Sequence, residues 1–165
     1  MERICFTMLI APEHRATYAR MHAEAWPELL AELDRTGWSN YSLFLRDDGL
    51  LVGYLESPDW QAAQREMSVT DVSARWSAEM DKLVVPGSTM LYPRLVHHLE
   101  SPSAPLRHYL VVGSPVSLDP ALLDAGLSNV SVFERSDGLT VIYAETGGAG
   151  ILDWSPLADL AAQLG

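Results

Sequence analysis

Apolar and polar residues alternate from Arg3 to Ile10, with Phe6 and Met8 on one face and Cys5, Thr7 and Leu9 on the other, which predicts a first strand. Ala11-Pro12-Glu13-His14 then turns the chain into a segment of helical period that runs to about Arg35. Pro12 stands near its start and Gly37 just past its end, where each residue is best tolerated. Within it Tyr18, His22 and Trp26 recur at i, i+4 and i+8 and share a face with Ala25, Leu29 and Leu33. Pro27 removes one backbone donor, so a kink after Trp26 is expected.

Two strand-like runs follow, 40–45 and 50–55, joined through Arg46-Asp47-Asp48-Gly49, and these predict a hairpin. Ser57-Pro58-Asp59 opens a short amphipathic helix from Trp60 to Met67. Thr70 or Asp71 caps a second, from Val72 to Leu83. A fourth strand is expected over Met90–Leu99, bulged or at an edge because of Pro93. Strand, helix, strand, strand, helix, strand is the ferredoxin-like order, so the fold class is α+β.

After Ser101-Pro-Ser-Ala-Pro105 the pattern begins again. His108–Val112 reads as a strand, Leu118–Ala125 as a helical turn and Leu127–Glu145 as a second hairpin. Residues 36–56 align without gaps on 125–145, and Gly, Ser, Asn, Ser, Phe, Arg, Asp, Gly, Leu, Val, Tyr and Glu recur in register. The chain therefore reads as an internal duplication: 1–100 a first repeat, 101–106 a linker, 107–165 a truncated second repeat. The long helix with Tyr18, His22 and Trp26 has no counterpart in the second copy. There Asp153-Trp154 echoes Asp59-Trp60 and leads to one apolar helix at the C-terminus.

Charge and composition narrow the function. A formal net charge of −11 disfavours nucleic acid and anionic membrane surfaces as partners. The single Cys5 permits no internal disulfide, and no apolar run approaches membrane-spanning length, so a cytoplasmic globular protein is expected. The five histidines have no metal-ligand spacing, and neither a phosphate-binding glycine loop nor a nucleophile elbow occurs. A phenol and an imidazole on the inward face of the first helix must either find partners in the core or line a cavity that holds a polar ligand.

Arg3-x-x-Phe6-x-Met8, Tyr18-x-x-x-His22-x-x-x-Trp26-Pro27-Glu28, Asn40-Tyr41-Ser42, Trp60, Thr70-Asp71-Val72-x-x-Arg75-Trp76 and His98-Leu99-Glu100 together resemble the L-rhamnose mutarotase family over about residues 3 to 100. The resemblance implies a dimeric α+β barrel of ferredoxin-like units. It also implies interconversion of sugar anomers without metal or organic cofactor, and a sugar site at Tyr18, His22 and Trp76 with Trp26 and Asp71 nearby. His22 would be the principal acid/base, Tyr18 a proton relay or hydrogen-bond donor, and Trp76 and Trp26 would cover a pyranose face. Ser77 departs from the second tryptophan common in the family. His97 departs from a common aromatic, which makes it a candidate substrate contact.

The expected partner is a small molecule, and the expected particle a monomeric pseudo-dimer with one active site. Two other readings stand beside the mutarotase. One is a repurposed barrel that isomerises or cyclises another small ring, and the other is a binding module without catalysis.

Overall fold

The computed structural model describes residues 1–99, 107–113, 127–146 and 158–159. They fall into two units, Met1–Leu91 with Leu157–Gly165, and Tyr92–Pro156. The division thus comes at Leu91, ahead of the 101–106 segment that composition marks as a linker.

In the first unit β1 (Glu2–Leu9) pairs antiparallel with β3 (Leu50–Ser57), and β3 with β2 (Ser39–Leu45). Both faces of β1 are buried at its centre, so Cys5 and Thr7 are as enclosed as Ile4 and Phe6. Phe6 lies opposite Gly53 in the β1–β3 ladder, and a Cβ on Gly53 would fall 2.2 Å from its ring. Only glycine lets the ring lie flat there. The β2–β3 turn closes on Gly49, at φ +90, while Asp48 accepts from Arg46 and from the Leu50 amide.

The single kinked helix expected over 15–35 is instead two. α1 (Arg15–Ala23) ends at Glu24, and α2 (Pro27–Arg35) begins with the proline at its first position. Trp26 between them is extended, at φ −61 and ψ 131. A proline ring clashes with a helical residue before it, so the backbone at Trp26 leaves the helix rather than bending within it. α2 ends in a left-handed Gly37 (φ +83), with the Trp38 amide donating to the Leu33 carbonyl and the Gly37 amide to Asp34.

α3 (Trp60–Ser68) is capped by Asp59, whose carboxylate accepts from the Ala62 amide. α4 (Asp71–Met80) is capped by Thr70 through the Ser73 amide, so Asp71 is the first helical residue and not the cap. Leu29 and Leu33 of α2, Met67 of α3 and Val72 of α4 form one apolar cluster. Ile4, Phe6, Leu43, Leu51 and Leu55 of the sheet pack with Tyr18, Met80 and Leu83 in another.

The fourth strand differs from expectation. Leu91 makes only an isolated bridge to Thr7, with amide–carbonyl distances of 2.8 and 2.9 Å, and the strand β4 begins at Arg94. Pro93 has no amide proton to carry the first ladder onward, and β4 (Arg94–Leu99) belongs to the second unit's sheet. That sheet is ordered β4-β6-β7-β5, with β5 at Arg107–Gly113, β6 at Leu127–Glu134 and β7 at Thr140–Thr146.

The two hairpins have the same local chemistry. Asn40 and Asn129 both sit at φ 46 beside a break in register. Asn40 donates to Glu56 at 3.1 Å and Asn129 to Glu145 at 2.8 Å; the hydroxyls of Tyr54 and Tyr143 donate to those same carboxylates at 2.7 Å.

The C-terminal helix is corrected where it is described. Ala158–Asp159 is a short strand, β8, added to the free edge of β2, where it supplies backbone partners an open edge lacks. The linker at 101–106, the turn at 118–125, Gly147–Gly150 and Asp153-Trp154 lie outside the described residues.

Candidate active site

The first unit encloses a cavity of about 250 Å³ between its sheet and its helices. Phe6 and Met8 of β1 and Tyr41 of β2 line it from the sheet, Tyr18 and His22 from α1, and Ser73, Trp76, Ser77 and Met80 from α4. Strand alternation explains the sheet side, because Phe6 and Met8 are two residues apart, and Tyr41 shares the parity of the core residue Leu43. The helical side follows from α1, whose two buried residues are Tyr18 and His22, one turn apart.

Their geometry is specific. The two rings stack at 4.1 Å between centroids with 28° between planes, and His22 Nδ1 lies 3.0 Å from the Tyr18 carbonyl oxygen. A carbonyl only accepts, so Nδ1 carries the proton and Nε2 is left with a lone pair. Burial lowers the imidazole pKa to about 4, against a smaller upward pull from that carbonyl, so His22 is neutral at pH 7. Burial raises the Tyr18 phenol well above its ordinary value, assisted by Tyr41 nearby, so it stays protonated. Among the described residues its hydroxyl has no hydrogen-bond partner. One group thus presents a lone pair to the cavity and its neighbour holds a proton.

An aromatic wall adjoins them. Trp76 meets His22 edge-on at 5.1 Å and 84°, and Trp26 meets Trp76 edge-on at 5.1 Å and 86°. Trp76 lines the cavity, whereas Trp26 stands behind it, with the Arg75 guanidinium 5.2 Å over its ring. Trp26 is a support for Trp76 in this arrangement and not part of the cavity wall.

Asp71 and His97 are placed elsewhere. Asp71 is exposed and pairs with Arg75 at 3.2 Å, and Arg75 also reaches Glu28 at 2.7 Å, a brace between α4 and α2. The first residue of a helix points along its own turn, and Asp71 is held there by a partner four residues on. His97 is exposed on β4, in the second unit, opposite Val132. Tyr41, Met8, Ser73 and Asp81 line it without having been singled out as site residues. For Tyr41 the signal was present in its parity with Leu43; for Ser73, Ser77 and Asp81 it was their spacing of four. Among the described residues no three His, Cys, Asp or Glu side chains converge as a metal site requires.

Comparison with known proteins gives this arrangement its context. The family model for L-rhamnose mutarotase matches residues 3–99, which takes in α1 to α4 and the cavity lining. The chain belongs to the L-rhamnose mutarotase family. An L-rhamnose mutarotase of Burkholderia cenocepacia is 42% identical over 89 residues, which cover 53% of this chain and 84% of that one. That of Lactiplantibacillus plantarum is 36% identical over 85 residues, covering 51% and 81%. The crystal structure of a Formosa agariphila L-rhamnose mutarotase superposes with a TM-score of 0.53 at 21% identity, over 61% of this chain and all of that one, and so agrees in fold. The family match ends at residue 99 of 165, so residues 100–165 lie beyond the matched region.

Proposed function

We propose that the chain is a cofactor-free mutarotase that interconverts the α and β anomers of L-rhamnose or a closely related sugar, with His22 as the proton-transfer group. The observation that carries this reading is the buried, neutral His22, tied through Nδ1 to its own helix so that Nε2 is the nitrogen left for a ligand.

Ring opening removes the proton from the anomeric oxygen, breaks the bond from C1 to the ring oxygen, and protonates the ring oxygen. Rotation of the aldehyde and the reverse steps give the other anomer. Both oxygens are bonded to the same carbon, so one imidazole nitrogen can take the proton from one and return it to the other. An imidazolium whose pKa is near 4 is a strong acid in its setting and passes its proton on readily. Tyr18 is a poor acid for the same reason of burial, and serves as a hydrogen-bond donor to the sugar instead of losing its proton. Trp76, backed by Trp26, offers an apolar face to the pyranose.

Saturation-transfer NMR between the anomeric protons of L-rhamnose tests this. Native protein accelerates the exchange, His22→Ala returns it to the solution rate, a loss of about 100- to 10,000-fold, and Tyr18→Phe retains part of it. Native, folded protein that leaves the exchange of rhamnose and related 6-deoxyhexoses unchanged sinks the proposal. That outcome favours the second reading, isomerisation of another small ring, for which the polar serines on the α4 wall are the supporting feature.

The recurrence of residues 36–56 at 125–145, with matching Asn–Glu and Tyr–Glu hydrogen bonds, supports an internal duplication in which the sequence of the second copy offers no counterpart of Tyr18, His22 and Trp26. One active site per chain follows from it.

A further inference from the structure

Ser73, Ser77 and Asp81 occur at intervals of four along α4 and its C-terminal residue, and all three line the cavity. At this spacing they lie one above another on a single helix face, a polar rail of about 12 Å from first to last at a rise of ~1.5 Å per residue. The rest of the lining is aromatic, aliphatic or neutral. Asp81 is the one acidic residue of the lining, and burial keeps His22 uncharged.

Asp81 is also badly placed for stability. It is the C-cap of α4, where exposed carbonyls make the helix end negative and a carboxylate is disfavoured. Its neighbour Lys82 is engaged with Glu79 at 2.7 Å. Among the described residues the Asp81 carboxylate has no ion-pair partner. A charge that breaks the local rule, stands unpaired and borders a cavity is a charge available to a ligand.

We infer that this cavity selects a sugar bearing a protonated amine, an amino-deoxyhexose whose ammonium group pairs with Asp81 while its hydroxyls meet Ser73 and Ser77. This deepens the mutarotase reading and rests on it, since the amine defines the substrate class and His22 performs the same proton transfer. A neutral 6-deoxyhexose fits the same space and satisfies the serines, but leaves the carboxylate without a cationic partner. Because Asp81 is exposed at the rim, the pair is partly solvated and its contribution is moderate and reduced by salt.

The test compares anomeric exchange rates, as kcat/KM, for L-rhamnose, its 3-amino-3-deoxy derivative and the N-acetylated form of that amine. With native protein the free amine is preferred over its N-acetyl form by about fivefold at low salt, and by less at high salt. Asp81→Asn abolishes the preference and Asp81→Glu retains part of it. Asp34→Asn removes an exposed charge of α2 outside the cavity and leaves the preference intact, which separates a local pair from attraction to the acidic protein as a whole. Acceleration of rhamnose with equal rates for amine and N-acetyl amine overturns the inference and leaves mutarotation standing. A preference that persists in Asp81→Asn overturns the role of Asp81. Acceleration of none of the three overturns both this inference and the reading it rests on.

Discussion

The Tyr18 carbonyl accepts from His22 Nδ1 at 3.0 Å while the two side-chain rings stack at 4.1 Å, so one residue fixes both the tautomer and the tilt of the other. The i, i+4 relation of a helix supplies both contacts without any third element. The pH behaviour of the protein follows from the burial of this pair, against which the carbonyl pulls weakly the other way.

His22 titrates near 4 in the folded protein and near 6.5 when unfolded. Between those values the unfolded chain binds the extra proton, so stability is full above about pH 6.5, falls as the pH drops through this window, and levels off below about 4. The loss attributable to this one group is about 3 kcal/mol, from ~1.4 kcal/mol per pKa unit. Denaturant titrations of native protein and His22→Gln across that range measure it, and the variant has the shallower slope. The acidic limb of kcat/KM is expected near pH 4. A limb at 6.5 would mean that the imidazole is solvated in the working enzyme.

Trp76→Ala removes the cavity's aromatic wall and is expected to raise KM for the sugar by about tenfold or more. Trp26→Ala acts through the support that Trp26 gives Trp76, and is expected to lower stability by about 3 kcal/mol with a smaller rise in KM. Steady-state anomerisation kinetics alongside thermal melts distinguish the two. Equal KM effects would mean that Trp26 also touches substrate.

Gly53→Ala places a methyl carbon 2.2 Å from the ring of Phe6, a residue that lines the cavity. A destabilisation of about 1–3 kcal/mol is expected, together with weakened sugar binding. Phe6→Leu in the same chain relieves the clash, so the double variant is more stable than the sum of the single ones predicts. Simple additivity would show that the strand pair shifts apart instead.

A second repeat that takes the place of a partner subunit predicts a particle of one chain, 18.2 kDa, in sedimentation at micromolar concentration. A stable dimer of this mass doubled contradicts the single-chain reading of the duplication.

Much of this was legible in the residues. The strand–helix–hairpin order, the caps at Asp59 and Thr70 and the pairing of Tyr18 with His22 all follow from short-range spacing, which a sequence displays directly. The period of four continues through Pro27 on paper, while proline sterics keep Trp26 extended and the first helix ends at Ala23. Asp71 lies outside the cavity for a related reason: a motif position reports neighbourhood, while its side chain pairs with Arg75 one turn on, and only the further contact of Arg75 with Glu28 of α2 is tertiary. The fourth strand was expected to start at Met90 and starts at Arg94, and its pairing with β6 depends on long-range partners that no local pattern encodes.

The break at Trp26 leaves α1 nine residues long, below the length at which a helix persists by itself in water, and no side chain caps its start. Its two buried residues are the pair that faces the cavity. The group proposed to move the proton and its hydrogen-bonding neighbour are therefore also the groups that fasten their helix to the body of the unit. Opening of α1 and loss of the reacting pair are one event, so amide hydrogen exchange along residues 15–23 reports directly on the fraction of molecules competent to react. A sugar lodged against Tyr18 and His22 slows that exchange, and the degree of slowing is set by its occupancy of the closed form.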